Sequence, residues 1–221
     1  MIKNILTNGM PDAISVNGVP FEIYTDFRTW IEAGYIIQRI GVSKDQNADF
    51  EKLCDLVVKE YPKNYLYADD FLQAIIQFYS GFPKAENETQ RKKKQKHKEN
   101  PKPPSFDFAY DANYIYCSFL SFYGINLQAT EYMHWWEFLV LFEGLMMSEN
   151  TSVNFVVGIR QTKIKPSTPK EEKKRIQTLQ KDFALPESEN SQIAKDNMNS
   201  ILTKMGKPKK KGADDEQKSD D

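Results

Sequence analysis

Residues 106–147 read FDFAYDANYIYCSFLSFYGINLQATEYMHWWEFLVLFEGLMM and concentrate apolar side chains as no other stretch of the chain does. Charge within it is limited to Asp107, Asp111, Glu131, Glu137 and Glu143. Its spacing predicts two helices joined at Tyr123-Gly124-Ile125-Asn126. Asp111 is a candidate cap for the first, expected over residues 112–123, and Gln128 or Thr130 opens the second. The second is apolar nearly all round, through Tyr132, Met133, Trp135, Trp136, Phe138, Leu139, Val140, Leu141, Phe142 and Leu145. Such a helix has to be covered on several sides, by its own fold or by a partner. Trp135 and Trp136 point about 100° apart on a helix, so one can fill the core while the other faces something else. Large adjacent aromatics make good interface anchors. Tyr132, Trp135, Trp136, Phe138 and Phe142 are therefore the candidate partner-binding residues, against the plainer reading that they are core.

The rest of the chain is also mainly helical in pattern. Ile14 to Ile23 alternates apolar residues around Asn17-Gly18, a pair that accepts the positive φ angles of a tight hairpin turn. A helix is expected from Thr25-Asp26 through Ile40, capped by Thr25 and closed by Gly41. Another runs over residues 45–61 with Phe50, Leu53, Cys54, Leu56, Val57 and Val58 inward, stopped by Pro62. A third spans residues 67–82, with Phe71, Leu72, Ile75, Ile76, Phe78 and Tyr79 on its apolar side. After residue 147, Ser148-Glu149-Asn150-Thr151 reads as a cap for a short helix over residues 152–158. A charged helix over residues 169–184 carries a sparse stripe of Ile176, Leu179 and Phe183, and Leu185-Pro186 breaks it. The expected organisation is one helical domain over residues 1–187, a weakly amphipathic helix over residues 188–205 and a charged tail over residues 206–221.

The net charge of -1 hides a segregation of sign. Residues 84–105 hold eight basic side chains against three acidic ones, so the remainder is acidic. Almost nothing in that strap is apolar, and it closes on Pro101-Lys102-Pro103-Pro104. It is expected to be a disordered or loosely tethered loop, because it cannot bury enough surface to offset the entropy of ordering. Its run Arg91-Lys92-Lys93-Lys94-Gln95-Lys96-His97-Lys98 would attract phosphate in a salt-dependent way. No aromatic interleaves the run for stacking, so a solvating loop is the plainer reading and nucleic acid an unlikely partner. Self-association or an acidic protein partner is the remaining use of such charge.

Catalytic patterns do not emerge, and the chain is expected not to be an enzyme. Glu131-x-x-His134 has the i, i+3 spacing of di-iron bundles, but those use the motif twice, and the only other histidine is His97. His134 and Glu137 read instead as the polar edge of a buried helix. No nucleophile elbow, phosphate-binding loop or Cys–His pairing is present, and no cofactor or metal is expected. Cys54 and Cys117 both fall inside apolar helical patterns and read as buried thiols in a reducing compartment. Lys3 is followed by too short an apolar run for a signal peptide, and no run reaches the ~20 residues of a membrane span. A cytoplasmic location is expected.

Several of these segments together resemble the bacteriophage gene-fifteen protein family of siphophages and prophages of Gram-positive bacteria. The resemblance lies in residues 6–16 with the Asn17-Gly18 hairpin, and in Thr25-Asp26-Phe27-Arg28-Thr29-Trp30-Ile31. It continues through Phe106-Asp107-Phe108, Asp111-Ala112-Asn113-Tyr114-Ile115-Tyr116 and Tyr123-Gly124-Ile125-Asn126-Leu127. His134-Trp135-Trp136-Glu137-Phe138, Phe142-Glu143-Gly144-Leu145, Gly158-Ile159-Arg160 and Ala184-Leu185-Pro186 complete it. It covers about residues 1–187, and residues 187–221 are longer and more charged than the family pattern. The resemblance implies a tail assembly chaperone in the host bacterial cytoplasm, binding the tape measure protein and keeping it soluble until tail-tube protein polymerises around it. A minor virion tail component or adaptor is the alternative, and a nucleic-acid-binding phage protein the third.

Overall fold

The computed structural model describes residues 5–40, 43–63, 68–82 and 105–186. The chain divides between Met1–Pro186 and Glu187–Asp221, and every described residue lies before that division. Gly41, residues 84–104 of the basic strap, the helix expected over residues 188–205 and the charged tail fall outside the described residues.

The fold is mainly helical, with one short two-stranded ribbon near its start. After a single turn, α1 (Ile5–Asn8), strands β1 (Ala13–Val16) and β2 (Val19–Glu22) pair antiparallel with Val16 opposite Val19. Asn17 (φ 51°) and Gly18 (φ 83°) make the turn, as their sequence predicts. A two-stranded ribbon is marginal alone. This one buries Ile14 and Val16 and ties its tip to the helical body through Asn17 Nδ2, which donates to Asp70.

Helix α2 (Phe27–Ile40) starts one residue later than expected. Asp26, not Thr25, accepts the free backbone N–H of Arg28, while the Thr25 hydroxyl is paired with that of Tyr132. Helix α3 (Gln46–Val57), capped by Asp45, ends four residues short of the expected Tyr61. Val58 is drawn into an extended bridge with Ile23, and β-type pairing wins over helix propagation there. Helix α4 (Ala68–Tyr79) buries Phe71, Ile75 and Phe78, whereas Ile76, expected inward, is exposed.

Helix α5 (Ala112–Ser118) widens into a π-helical turn, Phe119–Tyr123, and Gly124 at φ 69° ends it. Asp111 makes no side-chain cap to α5; its carboxylate is taken by Arg160. The next helix, α6 (Trp135–Met147), opens five residues after Thr130 rather than at Gln128 or Thr130. Thr130 instead donates to the carbonyl of Asn126, and Tyr132 and Met133 precede the helix outside any regular element. Helices α7 (Ser152–Gln161, capped by Thr151 as expected) and α8 (Lys170–Asp182) follow. No residue of α8 is buried; it is held by Gln180, which donates to Ile159 and Thr162, and by Phe183, which meets Tyr114 and Phe155.

One core runs through the described residues, with Trp30, Leu53, Ile75, Phe119, Trp135, Phe138 and Leu145 at its centre. Cys54 lies in it, but Cys117 is exposed, contrary to the expectation that both thiols are buried. Among the described residues no helix is long and apolar enough to cross a membrane.

Candidate partner-binding surfaces

Four of the five candidate contact residues are spent on the protein's own interior. Trp135, Trp136, Phe138 and Phe142 are all buried, and Tyr132 alone is exposed, its hydroxyl on Thr25. The two tryptophans do not divide between core and exterior. Both indole N–H groups reach the C-terminal end of α4, Trp135 donating to the carbonyl of Tyr79 (2.9 Å) and Trp136 to that of Phe78 (2.8 Å). The last carbonyls of a helix have no partner within it. Two adjacent indoles therefore satisfy the end of α4 while their rings stack on Tyr79 and against Phe82. Phe138 continues the stack, with Phe27, Phe119 and Phe142 nearly parallel to it.

His134 explains where α6 begins. Its Nδ1 accepts the backbone N–H of Trp136 (3.0 Å), which makes the neutral ring protonated on Nε2, and Nε2 donates to the carbonyl of Pro11 (3.0 Å). Burial pushes this imidazole below its ordinary value, against the pull of Pro11, Glu137 and Asp12. Both ring nitrogens are thus occupied by the fold. Among the described residues no cluster of His, Cys, Asp and Glu is placed to hold a metal, and Glu131 is exposed. The other strongly moved groups also serve structure. Burial, then the Asp107 charge, pushes the Tyr35 phenol up to about 12, and burial pushes the Cys54 thiol up to about 12.

A half-open cleft of about 300 Å³ lies between α2 and α5. Phe27, Ile31, Ile115, Leu127 and Phe138 give it apolar walls, with Arg28, Tyr116 and Gln128 among its other lining residues. The Arg28 guanidinium is already committed to the Asp26 carboxylate and to the carbonyls of Leu127 and Thr130. Its size suits one large side chain or a small apolar ligand, not a helix.

Exposed apolar side chains also lie on the opposite side of α6 and on the π turn. Val140 and Met147 on α6, and Leu120 and Phe122 on the π turn, are all at least 44% exposed. The two elements touch through Tyr123, whose hydroxyl donates to the carbonyl of Leu141 (3.0 Å) and whose ring stands edge-on to Phe122. No lysine or arginine occurs from Ser105 to Ile159.

The sequence model described as "Bacteriophage Gp15 protein" matches residues 6–185. The chain belongs to this family. The Gp15 match runs from α1 past the end of α8 and so takes in both surfaces, the π turn and the tryptophan pair. Membership makes it a bacteriophage protein, of structural or assembly type. No curated protein and no solved structure matches the Gp15 chain. The exposed residues Leu120, Phe122, Val140 and Met147 were within the apolar stretch that the sequence singles out. Periodicity could have separated Val140 and Met147 from Trp135, Phe138 and Phe142, because they lie on opposite sides of the α6 wheel. The π turn that turns Phe122 outward has no comparable signal.

Proposed function

We propose that this Gp15 protein is a tail assembly chaperone, holding the phage tape measure protein soluble in the host bacterial cytoplasm until tube subunits enclose it. The observation that carries the reading is apolar surface left over after the core is complete: Phe122, Val140 and Met147 are exposed, in a run of sequence without lysine or arginine. A binder of this kind needs no bond-making chemistry. It needs an apolar face for a client helix, a charged remainder that keeps the complex dispersed, and release by competition. The family supports the phage setting, and the mainly helical fold supports helix-on-helix recognition.

Co-expression with the tape measure protein tests it. The soluble yield of the tape measure protein should rise, and the two should elute together on gel filtration. An unchanged yield with no complex would overturn the reading. Mass spectrometry of purified particles adds a second discrimination: a chaperone is absent from the mature virion, whereas a minor tail component is present in fixed copy number.

A further inference from the structure

We infer that the outer face of α6, together with the adjoining π turn, binds an amphipathic helix whose apolar stripe is bordered by lysine or arginine. This rests on the chaperone reading and adds to it the place of contact and the chemistry of the client.

The face is defined by helical geometry. Trp135, Phe138, Phe142 and Leu145 turn into the core. Val140, Gly144 and Met147 stand at i, i+4 and i+7 on the other side, the spacing at which one helix presents anchors to another. Met147 is 75% exposed, and its unbranched thioether adapts to varied apolar neighbours. Between the two anchors the Tyr123 hydroxyl fills the space over Gly144, and Phe122 stands edge-on to the Tyr123 ring. Apolar groups from two elements thus lie along about two helical turns.

Charge selects the occupant. The run from Ser105 to Ile159 holds no lysine or arginine, and of its six carboxylates only Asp111 is buried and neutralised, by Arg160. Glu137, exposed and one turn before Val140, borders the face directly. A client helix with acidic flanks would meet the like charge of Glu137, whereas one with basic flanks would find a partner in it. A second copy of this face would bring acid against acid, which disfavours a symmetric dimer through it.

Two synthetic peptides of about 18 residues, with the same leucine stripe and either lysine or glutamate on its borders, provide the probe. They are titrated against the full chain carrying ¹³C-methyl methionine, with the Met147 resonance assigned by M147Q. The lysine-bordered peptide should shift the Met147 methyl and bind at least about tenfold more tightly than the glutamate-bordered one, weakening with salt. The combined variant F122S/V140N/M147Q replaces the exposed anchors and should lose about tenfold or more in affinity while still unfolding in one cooperative transition; Y132S, exposed elsewhere, should lose nothing. Equal affinity for both peptides, equal binding by the combined variant, or a dimer through this face with no peptide binding would each overturn the inference. Tape measure solubility separates the two readings. If the combined variant supports it as well as wild type does, the surface is wrong and the chaperone stands; if wild type does not support it, the chaperone reading itself falls.

Discussion

The hydroxyl of Tyr123 occupies the space that a side chain on residue 144 would need, and from there it donates to the carbonyl of Leu141. Gly144→Ala should therefore destabilise the fold by about 1–3 kcal/mol, the range for overpacking. Removing the hydroxyl should relieve it, because the next Tyr123 atom, Cζ, is 3.7 Å from the added carbon. Tyr123→Phe alone loses a hydrogen bond worth about 1 kcal/mol, yet the double variant should be more stable than the sum of the two. Gly34 gives the contrast. There an added carbon meets Cζ (2.9 Å) and Cε2 (3.0 Å) of Tyr79 as well as its hydroxyl, and that ring is stacked on Trp135. Tyr79→Phe should not rescue Gly34→Ala. Urea denaturation midpoints for the two cycles check both.

Asp111 and Arg160 form a two-pronged ion pair, 2.7 Å at each oxygen, with side chains only 1% and 9% exposed. Removing one member leaves a buried charge without its counterpart, at a cost of about 3–5 kcal/mol. Arg160→Met and Asp111→Leu should each fall in that range, and together they should cost clearly less than their sum. A double-mutant cycle by chemical denaturation measures the difference. Simple addition of the two would mean that the partners are not coupled.

Acid should weaken the fold partly through His134. Its folded-state value lies below the ordinary 6.5, so on acidification the unfolded chain takes up the proton first. Stability is unaffected by this group above about pH 6.5 and falls as pH drops from there toward the folded-state value. Protonating Nδ1 would also remove the acceptor that caps α6. His134→Asn, measured at pH 8 and pH 5, should lose less stability on acidification than wild type. Parallel pH profiles would assign the acid sensitivity to carboxylates instead.

The thiols should behave unlike one another. Cys117 is exposed, with the Ser152 hydroxyl 3.8 Å from its sulfur, and Cys54 is fully buried with its thiol pushed up to about 12. Alkylation of the native protein should label Cys117 within minutes and leave Cys54 until the chain unfolds. Peptide mass spectrometry before and after denaturant reads this directly.

Much of this fold was legible in local sequence. Asn17-Gly18 specified its turn because only a few residue types accept two positive φ angles in a row. Ser148-Glu149-Asn150-Thr151 announced α7 because the side chain of Thr151 caps the very next turn. What failed was whatever depends on a distant partner. Asp111 looks like a cap until Arg160, far along the chain, is brought to it. The start of α6 was missed because a histidine, held by Pro11, does the work usually done by serine, threonine or aspartate. Four of the five candidate contact residues lie inside for the same reason: aromatic content marked the helix, but the carbonyls of Phe78 and Tyr79 hold both indoles inward.

Arg160 joins points that are far apart in the chain, reaching Asp111 across 49 residues, Ser105 across 55 and Phe183 across 23. Closing such contacts costs loop entropy, so the clamp is expected to form late on the way to the native state. Its loss should leave the refolding rate nearly untouched and appear almost wholly as faster unfolding. The guanidinium then acts as a latch on the lifetime of the folded protein rather than as a guide to reaching it.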